Sequence, residues 1–252
     1  MAQASPIRVG KRPARRAAGK RSSEPAVRLG TRGQPEESRA AILNAAEKEF
    51  AEQGIAGARI DTIAREAGVN KALLYYYFQD KDSLYGAVLD NAFAGLKTQV
   101  FAALDSKRAP REKLIEYVNV YFDFLSHHPF YPRLMQREMM RMGDGESHHL
   151  DKIVKESFQP IFAKVAGVLQ EGMARGEFRK IDPAHFVPSM VAMIVFYFSS
   201  SPVIRRIVRF DPLAPERVAE RKAAVLDFIT TALFLPEAYR TPARRGMQGD
   251  KK

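Results

Sequence analysis

The chain has 252 residues, 46% of them hydrophobic and 27% charged, with no cysteine and a formal charge of +11. That length builds a substantial core, as one large domain or two smaller ones. The missing cysteines exclude a disulfide scaffold, a thiolate metal site and a cysteine nucleophile, and they fit a reducing compartment, so the chain is expected in the cytoplasm.

Residues 1–36 hold nine Lys and Arg against Glu24 and Glu36, a balance of +7, and residues 237–252 hold five against two, a balance of +3. The body between them carries the remaining +1. Both ends are predicted to be flexible basic tails, the first of them disordered. Such tails bind a polyanion such as DNA or an anionic membrane surface, or simply keep a protein in solution. The N-terminal stretch lacks the apolar core of a secretory signal. Its Arg, Ala and Ser content is that of an organelle transit peptide, but scattered prolines and glycines and the lack of an apolar face argue against the amphipathic helix such a peptide forms.

Helical periodicity starts at Ser38. SRAAILNAAEKEFAEQG spaces Ile42, Ala45, Ala46, Glu49 and Phe50 helically and stops at Gly54; IDTIAREAG does the same with Ile60, Ile63, Ala64 and Ala67 and stops at Gly68. VNKALLYYYF, residues 69–78, then puts three consecutive tyrosines near a lysine. A strand would send Tyr75 and Tyr77 one way and Tyr76 the other, whereas a helix spreads them over an arc next to Lys71. Helix, glycine, three-residue turn and short helix are the grammar of a helix-turn-helix: Gly68 frees the backbone, Val69 plugs the angle, and Asn70 caps the next helix. On that wheel Leu74 and Phe78 turn inward, while Lys71, Ala72, Leu73, Tyr75, Tyr76 and part of Tyr77 stay outside. Phenols and an ammonium on one rim suit phosphate oxygens and base edges in a major groove, with Lys81 reaching a neighbouring phosphate. The competing reading is that the tyrosine run packs in a core.

A longer helix follows from Lys81, KDSLYGAVLDNAFAGLKTQVFAAL, and the rest of the chain is predicted helical throughout, with no strand pattern. Pro110 opens a helix to about Leu125 with Leu114, Tyr117, Val118, Tyr121 and Leu125 inward. A shorter helix runs from about Pro129 to Met140. The loop MGDGES precedes a long segment from about His148 to Arg175, which Pro160 should kink. Asp182 and Pro183 start a helix to about Ser200, and Pro215 opens the last, to Leu235. The apolar run Phe186–Phe198 is about half the length of a membrane-spanning helix and contains Pro188 and Ser189, so it is read as a buried helix and no membrane partner is expected.

IDTIAREAGVNKALLYYYFQDKDSLY resembles the DNA-binding region of the TetR family of transcriptional regulators, over about residues 38–90. The shared features fall in one register: Ile63 with Ala64, Ala67 with Gly68 and Val69, Leu74 with Tyr75, Phe78, and the Lys81 to Leu84 spacing. The resemblance implies an all-α, nine-helix, two-domain homodimer. Its helix-turn-helix domain would be a three-helix bundle at 37–84, and a larger ligand-binding and dimerisation domain would occupy 85–236. It also implies a palindromic operator of double-stranded DNA, released when a small-molecule effector enters the larger domain. Carried onto this chain, the DNA contacts fall on Arg59, Asp61, Thr62, Asn70, Lys71, Ala72, Tyr75, Tyr76, Tyr77 and Lys81. Arg59 departs from the pattern, standing where many relatives have a Ser or Thr cap; a guanidinium holds phosphate strongly but cannot accept the capping N–H. The family's dimer seam, on the last two long helices, corresponds to Val191, Ile194, Val195, Phe198, Val225, Phe228, Ile229 and Leu233, stripes that core packing also explains.

MQREMMRMG concentrates Met135, Met139, Met140 and Met142, side chains that line adaptable pockets or fill a core. A ligand pocket is expected among Tyr117, Tyr121, Met135, Met139, Phe162, Val165, Met193 and Tyr197, mostly apolar. His127–His128 and His148–His149 are adjacent pairs, about 100° apart on a helix, unlike the three- or four-residue spacing of helical metal ligands. No phosphate loop or nucleophile motif is present, so no catalytic residue, metal or cofactor is expected. The expectation is a ligand-responsive regulator, in the first place a repressor. Its rivals are a ligand-independent activator or architectural DNA binder, and a helical hydrolase or metal enzyme using the histidine pairs.

Overall fold

The computed structural model describes residues 35–143 and 148–236, so the expectations for the tails at 1–34 and 237–252 and for the loop at 144–147 lie outside the described residues. The described chain is helical, with one isolated bridge between Phe178 and Phe234. In order come α1 (Pro35–Gly57), α2 (Ile60–Glu66), α3 (Lys71–Tyr77), α4 (Lys81–Leu104), α5 (Pro110–His127) and α6 (Tyr131–Gly143). Then α7 (His148–Ile153) runs through a π turn (Val154–Phe158) into α8 (Gln159–Ala174), followed by α9 (Pro183–Ser199), α10 (Ser201–Val208) and α11 (Pro215–Leu233). With α7 to α8 taken as one rod, these are ten helices among the described residues, one more than the nine the resemblance implied. The addition is α10, with Pro202 in its first turn, bent 70° from α9 and ended by Arg209 at φ 60°. No single described helix is long and apolar enough to cross a membrane.

Two local departures have plain causes. Pro160 lacks the N–H that would bond the Glu156 carbonyl four residues back; the π turn lies just upstream, and Lys97 Nζ donates to that carbonyl at 2.8 Å. α1 begins three residues before Ser38, and the boundary expected between residues 84 and 85 falls inside α4, a continuous helix shared by both halves.

The α4 helix is the spine. Its start is fixed by Asp80, whose carboxylate accepts from Ser83 N–H at 2.7 Å while the Ser83 hydroxyl lies 3.1 Å from Asp80 N–H. Leu84, Val88, Leu89, Phe93, Leu96 and Val100 bury the length of α4 against α1, α5, α7 and α8. The five positions expected inward on α5 are all buried. Each such aliphatic or aromatic side chain is worth about 1.5–3 kcal/mol when removed from water.

One junction ties the N-terminal bundle to the rest. Tyr85 on α4 meets Phe50 of α1 edge to face at 5.0 Å, and its hydroxyl donates to the wholly buried carboxylate of Glu138 on α6 at 2.7 Å. On the same helix Arg137 donates to the Ala51 carbonyl from Nε at 3.1 Å and to the Glu52 carbonyl from Nη2 at 2.8 Å. Those carbonyls lie just before α1 breaks at Gly54, which sits at φ 68°; a Cβ there would also stand 2.8 Å from Arg137 Nη1.

Candidate nucleic-acid interface and apolar cavity

The helices α2 and α3 form the two arms of the helix-turn-helix. α2 ends at Glu66; Gly68 turns the chain at φ 68°, and the Val69 N–H returns to the Ala64 carbonyl at 3.0 Å. Asn70 then caps α3, its Oδ1 accepting from Leu73 N–H at 2.7 Å. Leu74 is wholly buried and Phe78 nearly so, with Arg39 of α1 5.7 Å above the Phe78 ring. What these anchors leave outside is a rim of Lys71, Ala72, Tyr75 at 44% exposure and Tyr76 at 79%. Tyr77 is half-buried, its ring 5.4 Å from Tyr76 and 6.4 Å from Phe78. Leu73, expected outside, packs partly against the core, because it lies between the Asn70 cap and the Leu74 anchor on a helix of only seven residues.

The polar groups near that rim are partly engaged already. Lys71 Nζ lies 3.0 Å from Asp61 Oδ1, and the hydrogen bond and charge of that carboxylate raise the lysine's pKa. Arg59 precedes α2 without a side-chain cap, as its chemistry required, and its own N–H donates to Glu49 Oε1 at 3.0 Å. The Arg59 and Asp61 side chains are exposed, and Thr62 is half-buried. Lys81 does not extend freely toward solvent: its Nζ donates to the Ala56 and Ala58 carbonyls at 3.2 and 3.3 Å, tying the end of α1 to the start of α4.

The larger helical body contains an apolar cavity of about 540 Å³ between α4, α5, α6, α8 and α9, open to solvent past the exposed Met139 and Phe196. Of the eight residues expected in it, Tyr117, Tyr121, Met135, Met139 and Phe162 line it. Val165, Met193 and Tyr197 do not. Val165 is wholly buried elsewhere in the core; Met193 offers its carbonyl to Arg221 of α11 at 3.1 Å; Tyr197 donates to the Pro212 carbonyl at 2.7 Å, under Arg221. α9 supplies instead Val187, Pro188, Val191, Ala192, Val195, Phe196 and Ser199, about half a helical turn around from Met193 and Tyr197. That helix is apolar on most of its circumference, so periodicity does not choose the face. Tyr131 was also missed; the proline after it, marking a helix start beside other aromatics, was the available signal.

Among the described residues no charged side chain lines the cavity. Its polar groups are three phenols and Ser199. Tyr117 and Tyr121 sit one turn apart on α5 with rings 5.9 Å apart, and Tyr131 packs on Phe93 and Phe124. Burial pushes the Tyr117 and Tyr131 hydroxyls well above the usual phenol range and the Tyr121 hydroxyl up to about 12, the last rise opposed by the neighbouring Tyr131 phenol.

The expected dimer seam is divided. Ile194, Phe198, Val225, Ile229 and Leu233 are buried within the protomer, and Val191 and Val195 line the cavity, so as these helices lie none of the seven forms an outer face. Phe228, 62% exposed, does. The histidines of the first pair part company: His127 Nδ1 meets the Asp123 carbonyl at 2.6 Å and His128 stacks on Phe124 at 4.3 Å; of the second pair, His149 Nε2 lies 3.3 Å from Asp82. Among the described residues no group of three or more His, Asp or Glu is placed to hold a metal ion.

Comparison with known proteins gives two family matches in register with these two parts. A family described as bacterial regulatory proteins, tetR family, matches residues 42–88, and one described as tetracyclin repressor-like, C-terminal domain, matches residues 110–229. The transcriptional repressor SCO4008 of Streptomyces coelicolor is 31% identical over 175 residues, 69% of this chain and 83% of that protein. The transcriptional activator FasR of Mycolicibacterium smegmatis is 38% identical over 100 residues, 40% of this chain and 46% of its own. Among solved structures, the ketosteroid transcriptional regulator KstR2 of Mycobacterium tuberculosis superposes with a TM-score of 0.64 at 20% identity, covering 79% of this chain and 95% of that one.

Proposed function

The chain belongs to the TetR family of transcriptional regulators, and from that premise we propose that it is a cytoplasmic repressor that holds a palindromic operator as a homodimer and lets go when an effector fills the α4–α9 cavity. The observation that carries the reading is the outer rim of α3: Lys71, Ala72, Tyr75 and Tyr76 are set toward solvent by Leu74 and Phe78, on a helix short enough to enter a major groove end-on. Rigid rings with hydroxyl tips and a nearby ammonium meet both base edges and phosphate. Arg59, Thr62 and the helix ends around them would hold the flanking backbone.

Coupling of cavity to reading head has a physical carrier. The helix α6 lines the cavity with Met135 and Met139, and between them Arg137 grips the carbonyl end of α1. A ligand that displaces α6 therefore acts on the bundle that aims α3, and by linkage effector and operator weaken each other's binding equally. The dimer would form across the outward faces of α9 and α11, with Phe228 as an apolar anchor, and must place two α3 helices about 34 Å apart.

Electrostatics assign a task to the N-terminal residues. Residues 35–84 carry six Lys and Arg against nine Asp and Glu, a balance of −3, so the reading bundle alone is a poor partner for a polyanion. The +7 of residues 1–36 would supply the counterion-release term.

Genomic footprinting of the purified protein tests the reading. Palindromic sites beside promoters are expected, and their absence at low salt would overturn it. Sites upstream of promoter elements rather than across them would favour activation, the role named for FasR. Deleting residues 1–30 should flatten the salt dependence of binding while operator choice is kept; an unchanged slope removes the tail from the account.

A further inference from the structure

The cavity is built for one class of molecule. Its walls are Leu96, Val100, Ile161 and the apolar face of α9, and no charged side chain among the described residues lines it, so a carboxylate or ammonium driven to its inner end would lose hydration without gaining a counter-ion. An exception to the apolar lining is concentrated at one place, where α5 and α6 bring Tyr117, Tyr121 and Tyr131 together. The Tyr131 hydroxyl is sealed from solvent and makes no hydrogen bond of good geometry, its polar neighbour being the Tyr121 phenol, itself a donor. A buried hydroxyl left unpaired costs about 1–3 kcal/mol, a cost a folded core ordinarily avoids. Phe would fill the same space, and the neighbouring rings on Tyr131, Phe93 and Phe124, would stack on it equally well.

We propose that Tyr117, Tyr121 and Tyr131 form a donor cluster that recognises an oxygen acceptor on an otherwise apolar, uncharged effector, such as a ketone, ester or lactone on a hydrocarbon body. The inference rests on reading this cavity as the effector site. The phenols stay protonated throughout the physiological range, since burial holds all three well above neutrality, and they therefore present O–H donors and no anion. A neutral acceptor gives the poorly paired Tyr131 hydroxyl and its phenol neighbours a better partner; an alkane leaves them as they are, and an anion meets the donors only at the cost of its hydration. Selectivity thus comes from one corner of the cavity, and the rest of the wall, including Met135 and Met139, adapts to the shape of the body.

The test uses the full chain and two matched probe sets, decalone, decalin and decalin carboxylate, and nonanone, nonane and nonanoate, titrated calorimetrically without DNA. On at least one body the ketone should bind about tenfold more tightly than the hydrocarbon, the worth of one net hydrogen bond, and more tightly than the carboxylate. Tyr131→Phe should weaken ketone binding, leave hydrocarbon binding alone, and leave the empty protein as stable or more stable in thermal unfolding, a combination that loss of packing does not produce. The double variant Tyr117→Phe/Tyr131→Phe should erase the ketone's advantage. Tightest binding by the carboxylates, equal binding of ketone and hydrocarbon, an advantage that survives in the double variant, or no binding by either ketone would each overturn the proposal. Operator footprints, measured without probe, stand or fall separately; a ketone that binds selectively yet leaves the footprint intact keeps the chemistry and removes the effector role.

Discussion

Two groups of three tyrosines sit in this molecule under opposite conditions. On α3, Tyr75 and Tyr76 stand in water with Tyr77 half-covered behind them, and what holds them there is not their own packing but Leu74 and Phe78 beneath. In the cavity, Tyr117, Tyr121 and Tyr131 are almost fully enclosed, and their rings are themselves part of the core. An exposed phenol has its hydroxyl already satisfied by solvent, so it binds by exchanging water for a partner and is sensitive to the partner's shape. A sealed phenol such as Tyr131 has no water to exchange, so an acceptor that reaches it gains more of the difference. Under the proposed function the same residue type would serve a broad, salt-sensitive surface in one place and a narrow chemical filter in the other.

The largest effect that could break this comparison lies under the exposed group. Leu74→Ala removes a wholly buried side chain from a small bundle and should cost about 2–5 kcal/mol, read as a lower urea midpoint, with operator binding lost alongside. Tyr76→Ala should leave the midpoint within about 0.5 kcal/mol of the parent, yet weaken operator binding by about tenfold or more in a gel-shift titration. If Tyr76→Ala lowered the midpoint as much as Leu74→Ala, the α3 tyrosines would be core after all and the division would fail.

That division was legible in the sequence to unequal depths. The reading head shows in the one-dimensional pattern because its geometry is local: Gly68, Val69 and Asn70 make the turn, and Leu74 and Phe78 must share one face, which leaves the tyrosines no other place. The inward stripe of α5 shows for the same reason, since polar residues mark its other side. On α9 there is no such marker, and Val191, Ile194, Val195 and Phe198 could face a partner, a ligand or the core with equal hydropathy; only the positions of α8 and α11 decide. Lys81 illustrates a different limit. A lysine at a helix start points to phosphate by type, but the two carbonyls it binds come from a break at Gly54 that lies 27 residues upstream, and their position is a property of the fold.

An intermediate effect sharpens the enclosed side of the comparison. Burial pushes the Tyr121 phenol up to about 12 against about 10 for an ordinary phenol, so between those values the unfolded chain has released a proton that the folded chain still holds. Folding is then favoured by acid: the contribution is complete below pH 10, falls as pH rises, and is gone above pH 12. The shift of about two units corresponds to an order of 2–3 kcal/mol. Urea midpoints measured from pH 9 to 11.5 should therefore drop less steeply in Tyr121→Phe than in the parent. Parallel curves would mean that the Tyr121 hydroxyl meets water in the folded state, and the phenol end of the cavity would not be desolvated.

The smallest effect concerns the exposed side, where Lys71 is already paired. With Asp61 at 3.0 Å, the ammonium approaching a duplex exchanges one anion for another, and the carboxylate that remains beside it repels phosphate. Asp61→Asn should leave the urea midpoint nearly unchanged, because the pair lies in solvent. It should tighten binding to a random duplex by a few-fold at low salt and steepen the salt slope by about one phosphate contact, with a smaller gain on the operator. Selectivity would fall as affinity rose. A loss of affinity on both duplexes would instead mean that Asp61 holds Lys71 in the pose that reads the groove, and the lysine would then belong with the tyrosines as part of a preset surface rather than as a free charge drawn to any polyanion.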